Sequence, residues 1–252
     1  MRIPRLYVPG HYQPEQSVEL SEEQAHYLMR VLRLRAEHPL EIFDGQGQQA
    51  SARLIPVSKK QASARIEALS AVDRESPLTT TLVQSVSKGD RMDYSLQKAV
   101  ELGVTAIQPV LTEHSMVRLS DDKAEKRRRQ WQAIVIHACE QCGRAHVPEV
   151  RPLKTYQAWL NALPADAETT NLPGLVLDPR ATHTLSDLTP PAPQQPLCFL
   201  IGPEGGLSTA EIDQAVEKGL KAIALGPRVL RTETAGVALL AAMQTLWGDF
   251  AR

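Results

Sequence analysis

The stretch Leu197-Cys-Phe-Leu-Ile-Gly-Pro-Glu-Gly-Gly-Leu-Ser208 joins an apolar run to a turn rich in glycine and proline. The apolar run predicts a buried strand, and Ser208 with Glu211 three residues later predicts a capped helix. Turns of this kind at the carboxyl ends of strands are where open α/β sheets bind ligands. Glycine lets backbone N–H groups approach a ligand closely, although a tight turn with positive φ is an alternative reason for the same residues.

A second turn, Leu225-Gly-Pro-Arg-Val-Leu-Arg-Thr-Glu-Thr-Ala235, has the same character. Thr232 is predicted to cap the helix that follows, and Glu233 suits the positive end of that helix. Arg231 has no such structural reason, because it adds positive charge to a helix N-terminus. That position suits an anion, a phosphate or a developing negative charge. Neither turn contains the Gly-Lys-Ser/Thr of a P-loop, so hydrolysis of a nucleoside triphosphate is not expected.

From Leu78 onward, apolar runs alternate with segments of helical periodicity. This alternation predicts an α/β fold with a mostly parallel sheet and helices on both faces. The predicted strands are residues 80–86, 106–110, 174–177, 197–201 and 222–225. The predicted helices are residues 91–102, 124–142, 156–163, 209–218 and 233–248.

The first part of the chain instead shows short strands, at residues 5–8, 17–20, 40–43, 50–57 and 62–69. Their spacing predicts a small antiparallel barrel or sandwich. One helix interrupts them, capped by Ser21 with Gln24. Its predicted apolar side holds Ala25, Leu28, Val31 and Leu32. The polar segment 73–77 ends in proline, which predicts two domains, at residues 1–72 and 77–252.

Composition narrows the class of protein. The chain has 252 residues, 42% of them hydrophobic, and a net charge of −1. No apolar run approaches the roughly 20 residues of a membrane span, and the beginning of the chain lacks the apolar core of a signal peptide. Three cysteines fit a reducing cytoplasm better than a disulfide framework. Basic residues cluster locally, most densely at 123–129. This run is interpreted either as a solvated helix face or as a phosphate-binding patch, and the sequence does not decide between the two.

Cys139-Glu-Gln-Cys142 matches the spacing of some metal and redox sites, with His137 and His146 nearby. A zinc site needs four converging ligands. On a helix the two cysteines share a face, but His137 points elsewhere and Gly143 breaks the geometry before His146. A redox motif normally opens a helix after a strand, whereas this one ends a helix. We therefore expect no metal.

Several motifs together resemble the SPOUT-class methyltransferases that act on N3 of uridine in 16S ribosomal RNA, and the resemblance covers the whole chain. They include the two turns quoted above, Gln97-Lys-Ala-Val-Glu-Leu-Gly103, Ala138-Cys-Glu-Gln-Cys-Gly-Arg144 and Val147-Pro-Glu149. Arg2-Ile-Pro-Arg5 and Val31-Leu-Arg33 near the beginning of the chain also fit.

The resemblance implies a PUA-like RNA-binding β-barrel domain followed by a methyltransferase domain with a trefoil knot, a rare exception to unknotted chains. It also implies a homodimer and S-adenosylmethionine bound against three loops, one after Leu177, one at 202–206 and one at 225–232. The residues expected to bind this cofactor are Leu177, Ile201, Gly202, Pro203, Glu204, Gly205, Gly206, Leu225, Gly226, Val229, Leu230, Arg231 and Thr232.

The implied reaction is transfer of a methyl group to uridine N3, whose proton must leave. Arginine is permanently charged and stabilises negative charge on a carbonyl oxygen rather than acting as a base. This favours Arg231 first and Arg228 second for that role. Glu204 and Glu233 are the two carboxylates of the loops, and either one is a candidate to accept the proton or to orient an arginine. Residues expected to contact RNA phosphates, each with a surface salt bridge as the alternative, are Arg2, Arg5, Arg30, Arg33, Lys88, Arg91 and Arg144.

Two other functions stay open on the sequence alone. One is a non-catalytic RNA-binding or ribosome-assembly protein, which intact cofactor loops argue against. The other is methylation of another RNA position, such as a ribose 2′-hydroxyl. The preference for uridine N3 and for the small ribosomal subunit as partner comes from the resemblance. The preference for a cytoplasmic location comes from the cysteine content.

Overall fold

A computed structural model describes residues 3–58, 60–71, 73–117, 120–163 and 174–250. The chain packs as two compact units, Met1–Glu75 with Cys139–Val147, and Ser76–Ala138 with Pro148–Arg252. The domain bounds 1–72 and 77–252 stay a proposal, and packing adds the segment Cys139–Val147 to the N-terminal unit. No helix among the described residues is long and apolar enough to cross a membrane.

The first unit contains a five-stranded sheet in the order β1-β3-β4-β5-β2. Its strands are β1 (Arg5–Tyr7), β2 (Ser17–Glu19), β3 (Pro39–Phe43), β4 (Gln48–Pro56) and β5 (Ala62–Ala71). The predicted antiparallel arrangement is correct except for β1, which pairs with β3 in parallel. A parallel pair needs a long connection in the chain, and here β2 and a helix lie between β1 and β3 in sequence. The core of the sheet buries Leu40, Ile42, Leu54 and Ile66 almost completely.

The helix of this unit begins as predicted but changes its winding. Helix α1 (Glu22–His26) has the capping box of Ser21 and Gln24. It continues as a π-helical turn, Tyr27–Val31, in which the Leu32 N–H donates to the Tyr27 carbonyl. A π turn holds more residues than an α turn, so the α-helical phase is lost at this point.

The predicted apolar face is therefore correct only in its first half. Ala25 and Leu28 are fully buried, but Val31 and Leu32 are 59% and 38% exposed. The extra residue in the π turn rotates the later side chains away from the face that Ala25 and Leu28 share.

The second unit contains a sheet of seven parallel strands in the order β12-β10-β11-β6-β7-β8, with β9 also beside β7. Its strands are β6 (Thr80–Ser85), β7 (Ala106–Leu111), β8 (Glu149–Val150), β9 (Lys154–Thr155), β10 (Gly174–Leu177), β11 (Leu197–Ile201) and β12 (Lys221–Ile223). Its helices are α2 (Asp90–Glu101), α3 (Asp121–Cys142, whose end from Cys139 belongs to the first unit), α4 (Tyr156–Asn161), α5 (Thr209–Glu217) and α6 (Thr232–Leu246). The predicted parallel α/β fold is confirmed.

The core of this unit forms where α4 and α5 cover the sheet. Val83, Val176 and Leu200 from the strands pack with Trp159 and Ile212 from the two helices. Because all strands run in parallel, their carboxyl ends lie at one edge of the sheet. The loops after β6, β10, β11 and β12 therefore start side by side, which is where ligands bind in open α/β sheets.

Candidate ligand-binding cleft

The loops after β10, β11 and β12 surround a cleft of about 500 Å³. Pockets for small molecules typically have volumes of about 300–1,000 Å³. Most residues selected from the sequence for cofactor binding or catalysis lie in its wall. They are Leu177, Gly202, Pro203, Glu204, Gly206, Leu225, Gly226, Arg228, Val229, Leu230, Arg231, Thr232 and Glu233. Their roles stay predictions, but the structure brings the residues together.

Ile201 and Gly205 do not line this cleft. Ile201 is 1% exposed and belongs to the sheet core. A Cβ atom added at Gly205 would lie 3.0 Å from the Cβ of His114, so close packing against His114 favours glycine there. Gly206 and Gly226 are different, because both line the cleft with φ of +73° and +72°. Positive φ is the conformation that glycine adopts without strain.

The loop after β10 supplies cleft residues that the sequence analysis missed, Asp178, Pro179 and Arg180. The Asp178 carboxylate accepts hydrogen bonds from the Arg180 backbone N–H and from Arg180 Nε, both at 3.0 Å. These bonds close the loop on itself and direct the Arg180 side chain along the cleft wall. The same strand-end argument that identified the other two loops applies to this segment, because it directly follows a predicted strand.

Hydrogen bonds join two of the cofactor loops through Thr232. Its Oγ1 donates to the Gly202 carbonyl at 2.6 Å and accepts from Gln84 Nε2 at 3.0 Å. Gln84 is fully buried at the end of β6 and also donates to the Ser85 carbonyl. The prediction that Thr232 caps α6 is wrong: Arg231 occupies the N-cap position without a side-chain cap bond. The Thr232 hydroxyl is committed instead to holding the Gly202 loop against the start of α6.

Glu204 and Arg91 form an ion pair at the cleft wall. Arg91 Nη1 lies 2.9 Å from Glu204 Oε1, and the Lys88 backbone N–H donates to the same oxygen at 3.1 Å. Partial burial raises the pKa of the Glu204 carboxyl. The backbone N–H groups of Glu204 and Lys88 and the Arg91 guanidinium outweigh that effect and hold the pKa below its usual value. Glu204 is thus held as a carboxylate whose Oε1 already accepts from two donors.

Glu233 has the opposite environment. Its side chain is 17% exposed, and Oε1 lies 3.9 Å from Arg91 Nε. Oε2 is buried and has no hydrogen-bond partner among the described residues. A buried acceptor without a donor is costly, so a ligand N–H or O–H that reached it would be bound favourably. Three described carboxylates line the cleft, Asp178, Glu204 and Glu233, and among them Glu233 is the one with a buried oxygen that lacks a hydrogen-bond partner.

Arg228 and Arg231 are exposed where they line the cleft. Within the part of the chain that the structure describes, neither guanidinium has an ion-pair partner. Free guanidinium groups beside a cleft suit planar anionic groups, which they bind through two N–H donors at once. The cleft therefore combines two free cations, an unsatisfied carboxylate and apolar walls.

The expected RNA-contacting residues divide into two sets. Arg30, Arg33, Lys88 and Arg91 are exposed, and Arg2 lies outside the described residues. Arg91 also forms the salt bridge that was its alternative, with Glu204. Arg5 and Arg144 lie inside the first unit, so we withdraw both from the RNA-binding set.

The contacts that hold these two arginines include several with residues of their own unit. The Arg5 guanidinium contacts Glu41, donates to the Cys139 and Arg144 carbonyls, and lies 3.9 Å from the centre of the Phe43 ring. Arg144 is 4% exposed and pairs with Glu75.

The Cys139–Val147 segment has a structural role in the first unit. Ala145 accepts a backbone hydrogen bond from Gly47, and Val147 donates one to Gly45. Burial raises the pKa of the Cys139 thiol to about 12, which leaves it protonated and unreactive near pH 7. Among the described residues, no three His, Cys, Asp or Glu side chains converge as a metal site would require.

Comparison with known families places the two units in one class of protein, the RNA methyltransferases. Residues 74–244 match the model of an RNA methyltransferase domain, and residues 20–67 match that of an RNA methyltransferase PUA domain. This agrees with a parallel α/β unit that carries a ligand cleft at the strand ends, preceded by a small β unit.

Individual relatives define the family within that class. The chain is 35% identical to ribosomal RNA small subunit methyltransferase E of Buchnera aphidicola subsp. Schizaphis graminum, over 98% of each chain. It is 30% identical to the Bacillus subtilis protein of the same name, over 89% of this chain and 88% of that one. The chain therefore belongs to the ribosomal RNA small subunit methyltransferase E family.

Two similar solved structures contain a ligand. The Neisseria gonorrhoeae ribosomal RNA small subunit methyltransferase E, bound to S-adenosyl methionine, is 44% identical with a TM-score of 0.89 and covers 99% of this chain and 100% of its own. A putative methyltransferase from Legionella pneumophila, in complex with the bound cofactor SAM, is 39% identical with a TM-score of 0.92 and the same coverage.

Proposed function

We propose that this protein transfers a methyl group from S-adenosylmethionine to N3 of a uridine in 16S ribosomal RNA. Membership of the family supports methylation of ribosomal RNA, and the two ligand-bound relatives support the cofactor. The observation that carries the proposal is the cleft itself, where the three loops selected from the sequence converge.

The cleft residues fit this cofactor. Gly206 and Gly226 expose backbone to the cleft, and Leu177, Ile223 and Leu230 provide apolar walls. Such a pocket, with apolar surface and a few polar groups, is typical for a small-molecule cofactor. When bound, S-adenosylmethionine supplies a methyl group on a positively charged sulfur, which is already electrophilic.

The remaining chemical problem is the uridine N3–H, which is neutral near pH 7 and must lose its proton. Arg231 and Arg228 suit stabilisation of the negative charge that then develops on the uracil carbonyl oxygens. Glu233 suits the role of proton acceptor, because no described residue donates a hydrogen bond to its buried Oε2. Glu204 suits a positioning role, because its oxygen already accepts from Arg91 and Lys88.

N3 takes part in base pairing, so the target uridine must be presented unpaired or flipped out of its helix. The exposed cations Arg30, Arg33, Lys88 and Arg91 are proposed to position the RNA through its phosphates. A PUA-like first domain, a knotted second domain, action as a cytoplasmic homodimer and a substrate within the small subunit complete the proposal by family resemblance.

The direct test is to find where the methyl group goes. Purified protein is incubated with methyl-labelled S-adenosylmethionine and 16S ribosomal RNA, as free transcript and within small subunits that lack the modification. The RNA is then digested to nucleosides, which are separated and identified by mass spectrometry. The proposal expects label in 3-methyluridine. Label on a ribose 2′-hydroxyl would support the alternative methyltransferase, and absence of transfer to either substrate would support a non-catalytic RNA-binding protein.

A further inference from the structure

The π turn of the first unit presents a group of apolar and basic side chains to solvent. Tyr27, Val31 and Leu32 are 45%, 59% and 38% exposed, and Arg30 and Arg33 are exposed beside them. We call these five residues the π-turn surface. The hydrogen bond from the Leu32 N–H to the Tyr27 carbonyl spans five residues, so the two side chains start on the same side of the turn.

Three features of this surface lower the stability of the folded chain. Large apolar side chains remain in water, the turn is a rare π-helical one, and Arg33 has φ of +54°. A bulky residue with positive φ is strained, and such strain clusters at functional sites. Since π turns also occur frequently at functional sites, these features together indicate a binding surface.

The charges of the surface point to the kind of partner. Within the described residues, neither Arg30 nor Arg33 forms an ion pair. The nearby Glu37 carboxylate is engaged by Arg65 at 2.8 Å. Unpaired guanidinium groups next to an exposed aromatic ring match a polyanion that also carries planar rings.

We propose that the π-turn surface is a platform for unpaired RNA, on which a base stacks against Tyr27 while Arg30 and Arg33 bind adjacent phosphates. This inference rests on the proposed function, because it assumes an RNA substrate. Val31 and Leu32 extend the apolar area around the stacked base. Every base has a stacking face, so the platform contributes affinity with little base discrimination. It also favours single strands, because bases inside a duplex are not free to stack on a side chain.

The test uses a fluorescently labelled oligouridylate of about ten nucleotides, within the site sizes known for single-strand binders, and measures its affinity by anisotropy. Loss of stacking costs about 1–3 kcal/mol per base, so Tyr27→Ala is expected to weaken binding by roughly tenfold. Tyr27→Phe keeps the ring and is expected to bind within about twofold of the wild type. Val57→Ala, at a 63% exposed apolar site of the same unit, is the matched control and is expected to change nothing.

A second variant tests the phosphate contact. Arg33→Asn removes the charge while keeping a residue that tolerates positive φ, so the local fold is preserved. On single-stranded RNA each phosphate contact contributes about −0.7 to the slope of log affinity against log salt concentration. Arg33→Asn is therefore expected to make this slope less steep by about 0.7. The same labelled strand annealed to its complement is expected to bind more weakly than the single strand.

Several results would overturn the platform. Tyr27→Ala could bind the oligouridylate as well as Val57→Ala does, or duplex and single strand could bind equally. A change of oligomeric state in Tyr27→Ala, measured by sedimentation, would make the surface an interface between protein chains instead. Cofactor binding and methyl transfer are measured separately at saturating RNA. Loss of both in the wild type refutes the proposed function, whereas oligouridylate affinity alone decides the platform.

Discussion

Thr232→Val is the substitution that most sharply tests how the cofactor loops are held. It removes one hydroxyl and keeps the volume and β-branching of the side chain, so helix α6 has no other reason to change. Thr232 is 6% exposed, and its Oγ1 joins Gly202 of one loop to Gln84 at the end of β6. Both hydrogen bonds disappear together in the variant.

The size of the effect follows from what each partner loses. Gln84 is fully buried, so its amide keeps only the bond to the Ser85 carbonyl and leaves one N–H without an acceptor. A buried polar group that loses its partner costs about 1–3 kcal/mol. Gly202 is half-buried, so water replaces much of what its carbonyl loses. We expect the free energy of unfolding to fall by about 1–3 kcal/mol. Cofactor affinity should fall roughly tenfold, because the loop must then be ordered on binding.

The assay combines urea unfolding with calorimetric titration of S-adenosylmethionine. Thr245→Val is the matched control, since Thr245 lies on the same helix in an exposed position and, among the described residues, its hydroxyl bonds only to the Ala241 carbonyl. Gln84→Met, alone and combined with Thr232→Val, completes a double-mutant cycle. The double variant should lose less stability than the sum of the losses in the two single variants. If Thr232→Val resembled Thr245→Val in both stability and affinity, the hydrogen-bonded link between the loops would have no role.

Three further changes test other parts of the cleft. Gly206→Val places a branched side chain at φ of +73° in the cleft wall. It should weaken cofactor binding, measured by calorimetry, by at least about tenfold and leave the circular dichroism spectrum unchanged. Retained affinity would exclude Gly206 from the binding surface. Arg231→Lys should restore only part of the rate lost in Arg231→Ala, because an ammonium lacks the planar fork, and full recovery in single-turnover assays would contradict this. Arg91→Ala should raise the pKa of Glu204 in a carbon-13 NMR titration, because Arg91 lowers it. A carboxyl with a lowered pKa stabilises the fold above its unfolded pKa and loses that contribution as pH falls, so the variant should lose less stability on acidification than the wild type.

Elements with strong local signals were predictable from sequence. The strands 174–177 and 197–201 have the predicted bounds, since both are continuous apolar runs ended by turn residues. The capping boxes at Ser21 and Ser208 are also confirmed, because each depends only on residues within one turn. The convergence of the cofactor loops followed from the parallel order of the strands.

Features that depend on distant partners were not predictable. The Thr232 hydroxyl is taken by Gly202 and Gln84, which are far away in sequence, so the local rule for N-caps gave the wrong residue. Arg5 was expected at the surface because its charge is visible in the sequence, whereas Glu41 and the carbonyls that bury it are not. Helical periodicity likewise cannot show the extra residue of the π turn that exposes Val31.

The central claim is that Glu233 accepts the N3 proton and Arg231 stabilises the resulting anion. It is tested by single-turnover formation of 3-methyluridine as a function of pH, with saturating RNA and cofactor, in the wild type, Glu233→Gln and Arg231→Ala. Arg231→Ala should be slower by about 10²-fold or more at every pH, because the charge it stabilises forms however the proton leaves. Glu233→Gln should be slow near neutral pH and approach the wild-type rate as pH rises, because hydroxide then removes the proton instead. Near-normal rates in both variants, or a methyl group found at another position of the RNA, would contradict the account.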